Sequence, residues 1–199
     1  MTSAFICSAS LIGWAALLSA LAARAERSLT GASSLCISFA LAAPLGATAC
    51  AVREPREALA RGAVLVALTV GAIADARTGY VFDSVTLPAA VVAIVFAMGA
   101  TGDGRPSIGA LAIVAPLALL AASSWLGWGD VKAAFSLSLA FGPFESCLAL
   151  FVACVSGLAF AQTPLGRACL PRMPFVPHLA VGALTALIAA RPLRALIGD

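Results

Sequence analysis

The chain has 199 residues, 62% hydrophobic and 11% charged, with a net charge of +3 and a mean hydropathy of +1.04. A soluble domain carries roughly 25% charged residues. A compact fold of this length cannot hide so apolar a composition, which excludes an ordinary soluble domain and points to a polytopic helical membrane protein. The scattered positive charge forms no basic stripe, so nucleic-acid binding has no support, and the alternating segments of a transmembrane barrel do not appear.

Charges, glycines and prolines divide the chain into apolar segments. The first, about residues 4–23, is long enough to span a bilayer. No Lys or Arg precedes it and Arg24 and Arg27 follow it, the reverse of a cleaved signal peptide, so it reads as a retained helix. A second helix is expected over about 29–52. The polar stretch Arg53-Glu54-Pro55-Arg56-Glu57, with Arg61 close behind, leads into a third over about 60–76, which carries Asp75 near its end. The connection over about 77–84 holds Arg77, Thr78, Gly79 and Asp83, the last a helix cap.

A fourth helix over about 85–100 ends at the turn cluster Thr101-Gly102-Asp103-Gly104-Arg105-Pro106. The fifth, about 107–126, runs into Gly127-Trp128-Gly129-Asp130-Val131-Lys132. Residues of about 131–142 are apolar but too short to cross about 30 Å of hydrocarbon untilted. Gly142-Pro143 breaks the chain there, and about 144–161 forms a further helix with Glu145 as its first-turn acid. A polar loop over about 163–174 precedes a last helix of about 176–190, with His178 as a structural or interfacial group in its first turn. The expected fold is all-α, with about seven or eight transmembrane or partly spanning helices. It is one domain over 1–199, with its core in about 60–190 and two additional N-terminal helices in 1–52.

The six cysteines, Cys7, Cys36, Cys50, Cys147, Cys154 and Cys169, include no Cys-x-x-Cys pair and read as small buried hydrophobes. One histidine cannot build a metal centre. No metal and no cofactor are expected.

Asp75 and Asp130 carry the chemical signal. An ionisable group at membrane depth costs about 2.5 kcal/mol or more and marks a functional site by default. Asp75 lies at the exit of the third crossing and Asp130 at the exit of the fifth, so both reach the same membrane face. Two carboxyls held together share one proton. The ionised one takes a proton from water, and the protonated one polarises a scissile carbonyl. Gly127 and Gly129 let backbone approach closely beside Asp130. A helix N-terminus at Asp130 favours the anion and makes it the candidate base. The plainer readings are an N-cap for Asp130 and an interfacial charge beside Arg77 for Asp75. Lys132 pairs with Asp130 or meets lipid phosphates. Charge does not orient the chain, because the twelve cations divide equally between the two faces.

Three segments in order resemble the type IV prepilin peptidases, membrane aspartyl proteases of the GxGD class. Asp75-Ala76-Arg77-Thr78-Gly79-Tyr80-Val81-Phe82-Asp83-Ser84-Val85-Thr86-Leu87-Pro88 is similar to the family's D-x-x-x-x-x-(I/L)-P-(D/N)-x-(L/V)-T-x-P stretch. Gly127-Trp128-Gly129-Asp130-Val131-Lys132 matches G-x-G-D-V-K, and Pro174-Phe175-Val176-Pro177-His178-Leu179-Ala180 resembles P-F-G-P-x-L-A. Phe82 stands where the family has proline and Val176 where it has glycine.

The resemblance implies that Asp75 and Asp130 are catalytic, with Gly127, Gly129, Lys132, Asp83, Pro174, Phe175 and Pro177 supporting them. It implies a multi-pass protein of a bacterial inner membrane, with the site at the cytoplasmic boundary. Its substrates would be prepilins or pseudopilins, cut after a glycine ahead of their apolar helix. Bifunctional members methylate the new terminus through a domain with Cys-x-x-Cys pairs, so peptidase activity without methyltransferase activity is expected here. Presenilin-like proteases carry Tyr-Asp and Pro-Ala-Leu, which are absent from the sequence, and a rhomboid-like protease needs Gly-x-Ser-Gly. The rivals from other classes are a small transporter or ion-binding membrane protein and a non-catalytic pilus or secretion assembly factor.

Overall fold

The computed structural model describes residues 48, 52, 54–78, 80–81, 83–101, 105–164, 167 and 174–197. They form five helices and no strand: α1 (Pro55–Thr78), α2 (Asp83–Thr101), α3 (Arg105–Ala122), α4 (Trp128–Ala161) and α5 (Val176–Ile197). The helices expected at about 4–23 and 29–52 lie outside the described residues, apart from Thr48 and Val52. The segments expected at about 131–142 and 144–161 run together as α4, so the described part has five helices where six were expected.

The expected break is nonetheless present. Gly142 sits at φ 78, ψ 174 inside α4, a region open essentially to glycine alone, and Pro143 removes a backbone donor just after it. The arm before the break has about 14 residues, roughly 21 Å of helix, and falls short of the hydrocarbon thickness.

Pro55–Asp75 and Trp128–Ala161 are long and apolar enough to cross a bilayer, yet only 28% of the apolar window in α4 is buried. A core helix of a soluble protein hides its apolar residues. Here Phe151, Val155 and Leu158 of α4, and Leu87, Val91 and Val95 along one stripe of α2, face outward. Lipid satisfies such a surface and water does not. Cys147 and Cys154 share this outward surface and are free and exposed, which corrects their expected burial. Their helix turns its small residues, not its cysteines, toward its neighbours.

Those small residues set the interior. Ala149, Ala153 and Gly157 of α4 are buried, as are Ala183 and Ala186 of α5. A Cβ on Gly182 would overlap the Ala149 carbonyl oxygen, so α4 and α5 meet backbone to backbone, as membrane helices do at small residues. On the other flank, α1 and α4 run in opposite directions. Arg61 meets Glu145 at one end, 3.6 Å apart. Leu68 and Gly71 share a cavity with Ser136 and Ala133 midway. Asp75 and Asp130 stand within Coulombic range at the other end. About 14 residues separate Asp75 from Arg61 and about 15 separate Asp130 from Glu145, nearly the same length of chain.

Candidate active site

Each aspartate is delivered by a helix end with an identifiable cause. Helix α3 stops in a turn where Ser124 N–H donates to the Ala121 carbonyl and Trp125 N–H to the Leu120 carbonyl, both at 3.0 Å. This is a Schellman ending, with Ser124 at φ 61 in the position glycine usually fills. The chain then extends through Gly127 (φ −75, ψ 142) and starts α4 at Trp128. Asp130 falls in the first turn, and its Oδ2 accepts the Gly127 N–H at 3.2 Å, the reach-back half of a capping box.

Asp75, one turn before the end of α1, is 8% exposed. Its Oδ2 accepts the Val176 N–H at 3.2 Å, and the Phe175 N–H also donates to the carboxylate. Val176 opens α5, so Asp75 takes amides left unpaired at a helix start. The argument that singled out Asp130 as the base, a carboxylate at a helix N-terminus, therefore holds for both residues and no longer separates them.

The α1–α2 connection binds the two motifs together at two points. A Cβ on Gly129 would lie 2.8 Å from Val81 Cβ, so the glycine is required by the chain's own Val81. Beyond it, Lys132 Nζ bonds Asp83 Oδ1 at 2.6 Å. Lys132 was expected to pair with Asp130 or with lipid; its partner is Asp83.

Of the nine residues expected at the site, the structure gathers Asp75, Asp130, Gly127, Gly129, Lys132, Asp83 and Phe175 around one helix-end cluster. Pro174 and Pro177 frame the start of α5, where a missing N–H is tolerated. Phe82, one of the two departures from the family pattern, lies outside the described residues. The other, Val176, is fully buried, with its Cγ1 at 3.4 Å from where a Gly71 Cβ would stand. A small residue on α1 thus accommodates the larger one on α5.

Sequence reasoning missed Val81, the Val176 amide and the Arg61–Glu145 pair. His178 accepts or donates at Nδ1 with Ser156 Oγ at 3.2 Å and rests beside the Phe160 ring, a packing contact between α5 and α4. Among the described residues, no group of three or more His, Cys, Asp or Glu side chains is arranged to hold a metal.

Residues 62–162, just over half the chain, match the model of the type IV leader peptidase family. The chain belongs to the type IV leader peptidase family. The stretch matching the leader peptidases includes both aspartates and the Gly127–Lys132 motif and ends before Pro174. Neither the comparison with curated proteins nor that with solved structures gives a match.

Proposed function

We propose that the chain is a membrane aspartyl endopeptidase that removes the leader of type IV prepilin-like or pseudopilin proteins, with Asp75 and Asp130 as its catalytic pair. The observation that carries this reading is the meeting of the two carboxylates within Coulombic range, one from the end of α1 and one from the start of α4. Each is oriented by backbone N–H groups. Like charges placed together in a largely apolar fold cost stability and gain nothing structural.

The chemistry needs only these groups and water. One carboxylate removes a proton from water as the water oxygen bonds to the scissile carbonyl carbon. The other carboxyl donates its proton toward the carbonyl oxygen, giving a neutral tetrahedral diol. Collapse of the diol breaks the C–N bond, the proton held by the first carboxyl passes to the leaving amine, and the second carboxyl regains its own. Gly129, Val81 and the Lys132–Asp83 pair hold the two motifs in register.

We place the protein in a bacterial inner membrane as a multi-pass chain of about seven or eight helices, with the pair at the cytoplasmic boundary. The family membership and the outward apolar surfaces support this. With no Cys-x-x-Cys pair in the sequence, we assign this chain peptidase activity alone. The test is co-expression with a prepilin from the same genome and a gel that resolves leader loss. Cleavage by the unmodified chain, abolished in Asp75→Asn and Asp130→Asn while both variants still accumulate in the membrane, is the expected result. Full-rate cleavage by either variant would remove the catalytic pair. No cleavage by the unmodified chain would favour the assembly-factor reading.

A further inference from the structure

The chain has three Trp and one Tyr, and those among the described residues all stand at one end of the fold. Tyr80 lies in the connection between α1 and α2, Trp125 lies in the turn after α3, and Trp128 opens α4. Trp14 lies outside the described residues. Val81 presses on Gly129, so Tyr80 and Trp128 are the chain neighbours of one contact. All three face outward: Trp125 is 85% exposed, Tyr80 70% and Trp128 57%. The opposite end, at Arg61 and Glu145, has no Trp or Tyr among the described residues.

So much exposed aromatic surface is costly in water, and its height on the helices gives it another surrounding. On α2 the outward residues change from Asp83 and Ser84 to Leu87, Val91 and Val95. On α3 they change from Leu119 and Leu120 to Ser123 and Ser124. The arm of α4 after the Gly142 break runs antiparallel to α5, since Ala149 meets Gly182 and Ser156 meets His178. It therefore ends beside the start of α5, where exposed Leu158 and Ala159 give way to Gln162 and Thr163. Three helices thus switch from apolar to polar exposure at the end that carries the aspartates. The aromatics lie just on the polar side of that switch, continuous with the lipid-facing surfaces of α2 and α4. Trp and Tyr settle at such a boundary, with the ring against acyl chains and the N–H or O–H on phosphate and ester oxygens.

The arm of α4 that carries Asp130 needs such a hold. At roughly 21 Å it is shorter than the hydrocarbon is thick, so its own apolar length does not set how deep it sits. Trp128 is two residues, about 3 Å of rise, from Asp130. We propose that Tyr80, Trp125 and Trp128 form an anchor in the headgroup layer of the bilayer, and that this anchor fixes the height of Asp130 at the membrane surface. The partner is a phospholipid headgroup with the ester region beneath it. The three aromatics are positioning residues. Their effect on cleavage rests on the proposed peptidase reading, whereas the anchor itself does not.

Depth-dependent fluorescence quenching tests the anchor. The probe is the full-length protein with Trp14→Phe in phosphatidylcholine bilayers. Bromine high on the acyl chain quenches its emission more strongly than bromine near the methyl end, and aqueous iodide quenches it weakly. Tyr80→Trp, in a chain with all three tryptophans changed to Phe, gives the same order; the reverse order removes Tyr80 from the anchor. Phe151→Trp in that background gives the reverse order, because it faces outward about 16 Å of helix from Gln162. Stronger quenching of Trp125 and Trp128 by the deep bromine, or no quenching by either lipid, overturns the proposal.

In the cleavage assay, Trp125→Ala combined with Trp128→Ala lowers kcat a few-fold and makes it vary with acyl-chain length, because mismatch then sets the height of the arm. Trp→Tyr at both positions restores the behaviour of the unmodified chain. A double Ala variant no more sensitive to chain length than the unmodified chain removes the height-setting role. Absence of cleavage by the unmodified chain would instead strike the peptidase reading and leave the quenching results to stand for the anchor.

Discussion

The antiparallel pair of α1 and α4 carries charge at both ends, and the two ends are built on opposite rules. At the Arg61 end the charges are complementary. Arg61 bonds Glu57 at 2.5 Å, faces Glu145 at 3.6 Å and lies over the Phe141 ring. At the Asp75 end two carboxylates stand within Coulombic range of each other, and among the described residues neither has an ion-pair partner. Among the described residues a nearby cation, Lys132, is bonded to Asp83 instead. The first end fastens the pair of helices beside the Gly142 break. The second keeps two carboxylates unneutralised, which stability alone would not retain and which the proposed catalytic pair requires.

That contrast can be broken in order of expected effect. Asp75→Asn or Asp130→Asn lowers the rate of leader cleavage by about 10²–10⁴-fold or more, while thermal stability holds or rises. A loss of stability instead would make the aspartates structural. Arg61→Met acts in the opposite sense. It removes the cation that faces Glu145, whose side chain is 8% exposed, and destabilises the protein by roughly 3 kcal/mol, and Glu145→Gln in the same chain recovers part of the loss.

Gly129→Ala pushes a methyl into Val81 and costs about 1–3 kcal/mol, with cleavage falling together with stability. Val81→Gly in the same chain, which removes the Cβ that the new methyl meets, relieves both, and no rescue would show that the contact does not set the register. Lys132→Asp changes stability by at most about 1 kcal/mol, because both partners of its ion pair are more than a third exposed. The cleavage rate drops further, and Asp83→Lys added to it restores part of the rate. The smallest effect is Ser124→Gly. Relief of the left-handed backbone in the turn before Gly127 stabilises by about 0.5–1 kcal/mol, read as a higher Tm, with cleavage unchanged.

Local chemistry made part of this legible in the sequence. Gly142-Pro143 is a break in any helix, and the expected crossing order sets Asp75 and Asp130 on one face, in keeping with their meeting at one end of the α1–α4 pair. What escaped depends on which residues far apart in the chain touch. Glu145 reads as an ordinary first-turn acid until Arg61 is seen beside it. Gly129 reads as room for an approaching backbone until the Val81 side chain is found in that room. Cys147 and Cys154 occupy an apolar segment, and in lipid an apolar residue is as comfortable outside as inside, so hydropathy says nothing about which way they point. Helix starts are also poorly marked. Periodicity begins α4 near Val131, whereas the backbone turns at Gly127 and brings Asp130 inside the first turn.

The close seam between Gly182 and Ala149 has a further consequence. It fixes α5 on α4 directly, and this pairing carries the Val176 amide to Asp75. A chain severed between α4 and α5 and expressed as two fragments should reassemble in the bilayer into an active peptidase. Gly182→Leu, which pries the helices apart, should abolish this complementation.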